Sequence, residues 1–345
     1  MEYRDIIRKN CEQNSPVFWW PRFAYHCTDV QNAVSILSSG RMLCRASAKS
    51  HNIMKRDNAS RQVIELTDKE VVSHVRFYFR PKTQTYYYQE GFKHRDLRFR
   101  GDENVNIPVP VFLLFDLERL LSHPGVEFSD KTQAGSRGDT FQGIEAFAKL
   151  KFDYIYDQSW EGYEQSKKYR QAEILAPDSF AVDGYISRIL CRNAVERATL
   201  LNLLKKSSSA SFEKYKDIIR EYSKDVFYEN GIFVATCDYC NKTVSISFSE
   251  SPACSKYIEK AMRENHLNDL SPIQAIVELE WLDKYSNIIK IFQMPLSISM
   301  QHPSACKING VPLIKDAVHL GIKVYFEGQL MSYVIRSLQD TEVLD

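Results

Sequence analysis

One short segment of the chain pairs an amide with a carboxylate. Residues 169–175 read Tyr-Arg-Gln-Ala-Glu-Ile-Leu, an order of polar and apolar residues that predicts a β-strand. Side chains two residues apart in a strand lie on one face, so Gln171 and Glu173 would stand side by side. The amide could hold a substrate group while the carboxylate accepts a hydrogen bond or a proton. A solvated strand face has the same pattern, so both interpretations stay open.

A second candidate lies at residues 25–28, which read Tyr-His-Cys-Thr and stand at a predicted strand end. Residues 29–39 follow with apolar side chains at helical spacing, and Gly40 is the stop signal. His26 could hydrogen-bond a ligand hydroxyl. Thr28 could bind a ligand or cap the helix, a choice that the sequence leaves open.

A third candidate is the strictly alternating segment at residues 74–80, which predicts a strand with Val75, Phe77 and Phe79 on one face. The opposite face carries four polar side chains: His74, Arg76, Tyr78 and Arg80. This face is either the wet side of an edge strand or the lining of a cleft that offers a ring for stacking.

The elements that must position these residues mix strands and helices before residue 200. A continuous apolar run at 109–115 predicts a buried strand, and a short helix is expected at 117–121. Further predicted elements are helices at 141–149 and 194–205 and strands at 169–176 and 185–191. We therefore expect an α+β fold for this part of the chain.

A break follows at residues 205–211, Lys-Lys-Ser-Ser-Ser-Ala-Ser, which has the composition of a linker. A flexible linker and a rigid turn both stay open for this stretch. A helix is predicted at about 212–228, and no internal repeat is found. After it we expect short strands separated by turn-rich stretches, at 232–237, 243–248, 275–282, 288–292, 323–326 and 331–335. We therefore predict two domains, a catalytic or binding domain at 1–206 and a smaller β-rich accessory domain at 207–345.

Composition narrows the class of protein. The chain has 345 residues, of which 44% are hydrophobic and 26% charged, so a disordered or low-complexity protein is excluded. The net charge of +1 hides an asymmetry, because residues 41–100 contain 14 Lys+Arg and 6 Asp+Glu. Aromatic residues, 12% of the chain, are interleaved with that positive charge. Cations pair with phosphates and aromatic rings stack on bases, so this composition is typical of a surface that binds single-stranded nucleic acid. A solvated loop would have the same composition, and both interpretations stay open.

The eight cysteines are scattered along the chain, which predicts reduced thiols. The N-terminus is charged and no apolar run is long enough to span a membrane, so we expect a cytoplasmic protein. Cys237 and Cys240 form a Cys-x-x-Cys pair, with Cys254 and His266 as conceivable further zinc ligands. Because no second half stands at finger spacing, two ordinary thiols at a hairpin turn are the favoured interpretation, and no metal is expected.

Taken together, these segments resemble the DarT-type nucleic-acid ADP-ribosyltransferases. The similarity begins with Tyr-His-Cys-Thr-Asp at 25–29 and His-Val-Arg-Phe-Tyr-Phe-Arg-Pro at 74–81. It continues with Val-Pro-Val-Phe-Leu-Leu-Phe at 109–115, Phe-Ser-Asp at 128–130, Trp160, and Arg-Gln-Ala-Glu at 170–173. The resemblance covers roughly residues 20–195. It implies an ADP-ribosyltransferase-like split mixed β-sheet core with helices.

The resemblance also implies an activity. Such proteins use NAD+ as co-substrate, transfer its ADP-ribose to a base of single-stranded DNA, and act as toxins countered by an antitoxin, often in defence against phage. By matching motif, Glu173 would be catalytic, and Arg56, or failing it Arg61, would serve the NAD+ phosphates and catalysis. The NAD+ site would further contain His26, Thr28, Tyr78 and Gln171. The nucleic-acid surface would contain His74, Arg76, Arg80, Lys82, Tyr154, Trp160, Tyr163 and Arg170.

Two departures from the thymine-modifying members leave the target open. Residues 80–85 read Arg-Pro-Lys-Thr-Gln-Thr where those members have Pro-Arg-Ser-Pro after one intervening residue, and Lys-Thr-Gln at 131–133 replaces their Gly-Asn-Ala. Thymine and guanine are both open as target bases. RNA is the alternative target with the same site, and a catalytically degenerate single-strand binding module is the alternative from a different class.

Overall fold

A computed structural model describes residues 2–13, 17–51, 54–57, 72–98, 105–133, 139–159, 163–249 and 252–338. Its strands are β1 (Phe23–Asp29), β2 (Arg41–Met42), β3 (Val75–Tyr78), β4 (Pro110–Asp116), β5 (Glu127–Phe128), β6 (Glu173–Ala176), β7 (Phe180–Ala181), β8 (Ile186–Cys191), β9 (Ile219–Glu221), β10 (Val234–Cys240), β11 (Thr243–Phe248), β12 (Ile273–Leu282), β13 (Ile288–Ile298), β14 (Cys306–Ile308), β15 (His319–Phe326) and β16 (Gln329–Ser337).

The α-helices alternate with these strands in the first two thirds of the chain. They are α1 (Tyr3–Gln13), α2 (Val30–Ser39), α3 (Arg45–Ser50), α4 (Gln84–Gln89), α5 (Leu117–Leu121), α6 (Ile144–Phe147), α7 (Phe152–Ile155), α8 (Tyr163–Ser166), α9 (Ala194–Ser207), α10 (Ser209–Tyr215) and α11 (Pro252–Glu264). Short 3₁₀ turns lie at Trp20–Arg22, Arg95–Leu97 and Tyr169–Gln171. The described part of the chain contains no helix long and apolar enough to cross a membrane.

A seven-stranded mixed sheet forms the core of the first part of the chain, in the order β5-β6-β3-β1-β4-β8-β9. Its pairs are antiparallel except for β8 and β9, which run parallel. Six of the seven residues of β4 are buried, as its continuous apolar run predicts for a central strand. Phe77 and Phe115 meet edge to face, with ring centroids 4.9 Å apart, and so tie β3 to β4. The predicted α+β class with a mixed sheet core is confirmed.

Helix α2 begins and ends where the sequence predicts. The Asp29 carboxylate caps it by accepting a hydrogen bond from the backbone N–H of Gln31 at 3.0 Å. Gly40 ends it with φ at 68°, a left-handed conformation that glycine adopts without steric cost. Asp29, and not Thr28, is therefore the cap, which leaves the Thr28 side chain available for another role.

Residues 205–211 form a rigid turn, one of the two interpretations of this stretch, and not a flexible linker. Helix α9 runs through to Ser207, and the Ser208 side chain caps α10 by accepting from the N–H of Ser211 at 3.1 Å. A serine-rich stretch is thus a tight corner between two helices, because a serine hydroxyl can satisfy the first free N–H groups of a helix. The predicted long helix at 212–228 is wrong, since α10 ends at Tyr215 and β9 joins the seven-stranded sheet.

Antiparallel strands fold into two further sheets after residue 230, one of order β10-β11-β14 and one of order β13-β12-β15-β16. One apolar core runs from Ile6 to Phe227, and a second gathers residues from Ile232 onward together with Phe92, Leu97 and Val195. The β-rich character of this region agrees with the sequence. The division of the chain at 206/207 stays a prediction.

Candidate active site

Three neighbouring strands bring the predicted site residues together. In the order β6-β3-β1, Glu173 stands opposite Tyr78, and Tyr78 stands opposite Tyr25, the neighbour of His26. Residues from three well-separated parts of the sequence thus meet across adjacent strands. The pairing places the histidine, the tyrosine and the carboxylate in one region of the sheet.

A cleft of about 560 Å³ opens beside these strands. Seven of the predicted site residues line it: His26, Thr28, Arg56, His74, Arg76, Tyr78 and Gln171. Glu173 does not line the cleft, because its side chain is fully buried behind Arg76. The cleft wall therefore presents cationic, hydroxyl, imidazole and amide groups, with the carboxylate one layer below the surface.

Glu173 receives four hydrogen-bond donors. Arg76 donates from Nε to Oε2 at 2.6 Å and from Nη2 to Oε1 at 2.8 Å. The backbone N–H of Gln133 donates to Oε1 at 2.9 Å, and the Thr132 hydroxyl lies 3.4 Å from the same oxygen. Burial lowers the pKa of Arg76, but the charge of Glu173, the nearby Tyr78 and the hydrogen bond to Glu173 together raise that pKa above its ordinary value. The guanidinium of Arg76 therefore stays charged in this buried contact.

Tyr78 and His26 are both held neutral. Burial and the nearby charge of Glu173 raise the pKa of Tyr78 to about 12, so its hydroxyl stays protonated. Burial lowers the pKa of His26, although its hydrogen bond to the Arg76 carbonyl acts in the opposite direction. Because a carbonyl only accepts, His26 Nδ1 donates across that 3.0 Å contact and its Nε2 is left as an acceptor. His26 can therefore accept a hydrogen bond from a ligand hydroxyl, the role predicted for it.

Arg56 reaches the cleft because helix α2 holds its backbone. The Asn32 amide donates to the Arg56 carbonyl at 2.8 Å and accepts from the N–H groups of Lys55 and Arg56 at 2.9 and 3.1 Å. Burial raises the pKa of Asp29 to about 6, against the opposing effect of the Arg56 charge. Asp29 Oδ2 is buried and accepts no hydrogen bond from the described residues. Arg61, the second arginine considered, lies outside the described residues.

Gln171 is the first site residue whose predicted geometry is wrong. It ends the 3₁₀ turn Tyr169–Gln171, and the strand begins only at Glu173, so the two side chains do not share a strand face. Gln171 still lines the cleft, where its amide accepts from the Thr85 hydroxyl at 3.3 Å and donates to Gln84 at 3.4 Å. The alternation of a strand does not apply to Gln171, because the residues from 169 to 171 form a 3₁₀ turn where the sequence pattern predicted a strand.

Arg80, predicted to bind nucleic acid, is buried. Its Nη1 donates to the carbonyls of Ile155 and Asp157 at 2.9 and 2.6 Å, and its guanidinium lies 5.0 Å from the Trp20 ring centre. Burial lowers the pKa of Arg80 to about 10. We therefore replace the nucleic-acid role with a structural one, because a side chain that supports two buried carbonyls cannot also reach a phosphate.

The other nucleic-acid candidates lie nearer the surface. Arg170 is tied into the loop before β6, with Nη2 2.7 Å from Asp157 Oδ2, and it stacks on the Tyr163 ring. Tyr154 is 37% exposed and stacks on Tyr169 with ring centroids 5.3 Å apart. Lys82 is half-buried over a tyrosine ring. Trp160 lies outside the described residues, and the binding roles stay predictions.

Sequence reasoning missed three residues that support the site. Thr132 and Gln133 donate to Glu173 from a loop about 40 residues earlier in the chain. Asn32 positions Arg56 from helix α2. The only signal for the first pair was that residues 131–133 depart from the family pattern. The Asn32 contact had none, because a polar residue in a helix is usually solvated.

The Cys-x-x-Cys pair does not form a metal site. Cys237 is buried in β10, whereas Cys240 at the end of the same strand is exposed, because residues three apart in a strand point to opposite faces. Cys254 instead donates its thiol to the Gly231 carbonyl. Among the described residues, no three His, Cys, Asp or Glu side chains stand close enough together to hold a metal ion.

A family model described as "ssDNA thymidine ADP-ribosyltransferase, DarT" matches residues 25–228, more than half of the chain. The chain belongs to the DarT family. The resemblance drawn from the sequence motifs is confirmed, and the match extends past the predicted limit near residue 195 to include β9.

Solved DarT structures match part of this chain. Thermus sp. 2.9 DarT in complex with NAD+ is 18% identical and matches 60% of this chain and 98% of its own, with a TM-score of 0.45. The same protein in complex with ADP-ribosylated ssDNA is 19% identical and matches 60% of this chain and 97% of its own, with a TM-score of 0.47. Thermosipho africanus DarTG in complex with ADP-ribose is 16% identical over 60% and 51%, with a TM-score of 0.46. None of the curated proteins matches this chain.

Proposed function

We propose that this chain transfers ADP-ribose from NAD+ to a base of single-stranded DNA and releases nicotinamide. The observation that carries the proposal is the pairing of Glu173 with Arg76 directly behind a cleft that His26, Thr28 and Arg56 line. A carboxylate at the reacting carbon and groups that bind a dinucleotide are what this reaction needs.

The residues of the cleft fit NAD+ as substrate. Arg56, which lines the cleft, offers a planar cation to the pyrophosphate. His26 Nε2 accepts from a ribose hydroxyl. Tyr78, with its neutral hydroxyl, lies by the nicotinamide ring.

The chemical step exchanges one bond at the ribose for another. The C1′–N bond to nicotinamide breaks, and its electron pair leaves with the nicotinamide nitrogen, so oxocarbenium charge develops on the ribose. The Glu173 carboxylate stabilises that charge. The base nitrogen then bonds to C1′, and Glu173 takes the proton that the nitrogen loses. Gln171, at the cleft wall, holds the incoming base or the ribose.

The incoming strand is met by rings and cations around residues 151–170. Tyr154 presents an exposed ring backed by Tyr169, and the exposed Lys151 and Lys168 lie 5.1 and 5.0 Å from that second ring. Stacked rings beside cations suit single-stranded nucleic acid, because every base offers a face for stacking. Together with Lys82 and Arg170, this surface supports a nucleic-acid target over a protein target.

The target base is thymine or guanine. Incubation of the protein with NAD+ and homopolymer oligonucleotides of each base, as DNA and as RNA, tests both the base and the sugar. We expect one DNA homopolymer to gain the mass of one ADP-ribose, with nicotinamide released in equal amount. A gain on RNA alone would replace DNA with RNA as substrate. Tight binding to an oligonucleotide without nicotinamide release would indicate a binding module.

In the cell, such a modification would block replication, so the protein acts as a toxin that a cognate antitoxin must counter, in defence against phage. Expression of the chain alone in bacteria should stop growth and leave ADP-ribose on DNA. Growth unaffected by an expressed, active enzyme would contradict the toxin role.

A further inference from the structure

Four donors surround the Glu173 carboxylate. Nη2 of Arg76, the N–H of Gln133 and the Thr132 hydroxyl contact Oε1, and Nε of Arg76 contacts Oε2. The side chain is also fully buried. In this arrangement Glu173 can neither touch a ribose nor take a proton from a base.

Arg76 separates the carboxylate from the cleft. Its side chain is 29% exposed and lines the cleft, whereas Glu173 is 0% exposed and does not. A molecule that enters the cleft therefore meets the guanidinium first. Arg76 must move before Glu173 can contact substrate.

Of the three groups that donate to Glu173, Arg76 is the one suited to leave. The Gln133 donor is a buried backbone N–H, and the Thr132 hydroxyl makes only a long contact at 3.4 Å. Arg76 has a long side chain at the cleft surface, and a guanidinium pairs with phosphate through the same planar pair of donors that it uses for a carboxylate. A phosphate in the cleft thus competes directly with Glu173 for Arg76.

We propose that Arg76 is a latch, which covers Glu173 in the free enzyme and is drawn off by a phosphate group of the bound substrates. The inference rests on the proposed function, since it assigns a trigger to that same site. The phosphate belongs either to the NAD+ pyrophosphate or to the nucleic-acid backbone. If the backbone supplies the phosphate, the latch prevents the enzyme from hydrolysing NAD+ while no strand is bound.

The test compares Arg76→Gln with wild type in two reactions, nicotinamide release from NAD+ alone and ADP-ribose transfer to an oligonucleotide. A latch released by the nucleic-acid backbone predicts that the ratio of NAD+ hydrolysis to transfer rises roughly tenfold in the variant, the order expected for losing a charge-assisted hydrogen bond. A latch released by the NAD+ pyrophosphate leaves the ratio unchanged, because NAD+ alone already uncovers Glu173 in the wild type. Arg119→Gln, which removes an exposed arginine bonded to the Gly184 carbonyl, is the matched control and should leave the ratio unchanged. An equal loss of both reactions in Arg76→Gln, with no response of Arg76 to pyrophosphate in the measurement below, would overturn the latch and make Arg76 a fixed positioning residue.

A second measurement does not depend on turnover and observes the wild-type protein, with the conservative variant Arg76→Lys used only for assignment. The Arg76 Nε–H resonance in wild-type protein, assigned by its loss in Arg76→Lys, should be protected from solvent exchange in the free enzyme. Inorganic pyrophosphate and a short oligonucleotide are added separately, and the one that supplies the trigger should shift the resonance. A resonance that neither ligand moves would overturn the latch. A shift without any transfer activity would instead uphold the latch and count against the proposed function.

Discussion

The structural role assigned to Arg80 gives a prediction that separates a buried support from a nucleic-acid contact. Replacing Arg80 with Met removes the donor to the carbonyls of Ile155 and Asp157 and the cation over the Trp20 ring, while methionine fills much of the same volume. The helix and loop that lead to β6 lose their anchor. We expect a loss of stability and an unchanged set of phosphate contacts.

The magnitude follows from the hydrogen bonds that Arg80 makes. Each carbonyl left without a donor costs about 1–3 kcal/mol. Removing the guanidinium offsets part of this, because burial of the charged group is itself unfavourable, as its lowered pKa of about 10 indicates. The net loss is about 2–4 kcal/mol in the free energy of unfolding. For a protein of this size that corresponds to a fall in Tm of roughly 3–6 °C.

The assay combines thermal unfolding with oligonucleotide affinity, measured against salt concentration at a temperature where the variant is folded. Removing one cation that binds a phosphate lowers the slope of log Kd against log salt by about 0.7 for single strands. Arg80→Met should keep the wild-type slope. Lys82→Met is the matched comparison, because that lysine is half-buried and still predicted to bind a phosphate, and it should lower the slope with little change in Tm. An Arg80→Met protein with unchanged Tm and a reduced slope would refute the reasoning.

Three further predictions concern the cleft and its surroundings. Asp29→Asn keeps the helix cap but removes a carboxyl whose folded pKa of about 6 exceeds the unfolded value of 3.8. The folded wild type therefore binds more protons than the unfolded chain between these pH values. Its free energy of unfolding, measured in urea, should fall by about 3 kcal/mol from pH 3.5 to pH 7 relative to the variant. Identical pH dependence in both proteins would contradict this. Asn32→Leu releases the backbone at Arg56 and should raise KM for NAD+ roughly tenfold with a smaller effect on kcat, and an unchanged KM would count against the Arg56 assignment. Tyr154→Ala should weaken oligonucleotide binding by about 1–2 kcal/mol while Tyr154→Phe keeps wild-type affinity in a fluorescence titration, and equal binding by both would exclude a stacking role.

Local patterns predicted the elements that a short stretch of sequence controls. The α2 helix, with Asp29 and Gly40 at its ends, and the buried β4 strand follow from capping chemistry and apolar runs. Helix α11 was missed although Cys254, Tyr257, Ile258 and Ala261 are buried at helical spacing, so a signal was present in the sequence.

Contacts between distant segments could not be predicted in the same way. Arg76 and Glu173 are 97 residues apart, and nothing in either motif says that one covers the other. Arg80 and Arg76 stand on one predicted face, yet the first is buried against Trp20 and the second lines the cleft, because the chain leaves the strand after Tyr78. Where an exposed strand face and a buried turn have the same residue types, only the packed neighbours decide the role.

The most direct test of the account is the rate of ADP-ribose transfer by Glu173→Gln on the oligonucleotide that the wild type modifies. The variant keeps the size of the side chain but removes the charge and the proton acceptor, so kcat/KM should fall by at least about 10²-fold. Glu127→Gln, at the edge strand β5, where the carboxylate accepts from the Gln142 amide at 3.1 Å, is the matched control and should keep wild-type activity. Transfer by a folded Glu173→Gln protein at the wild-type rate would contradict the central claim that this carboxylate carries the chemistry.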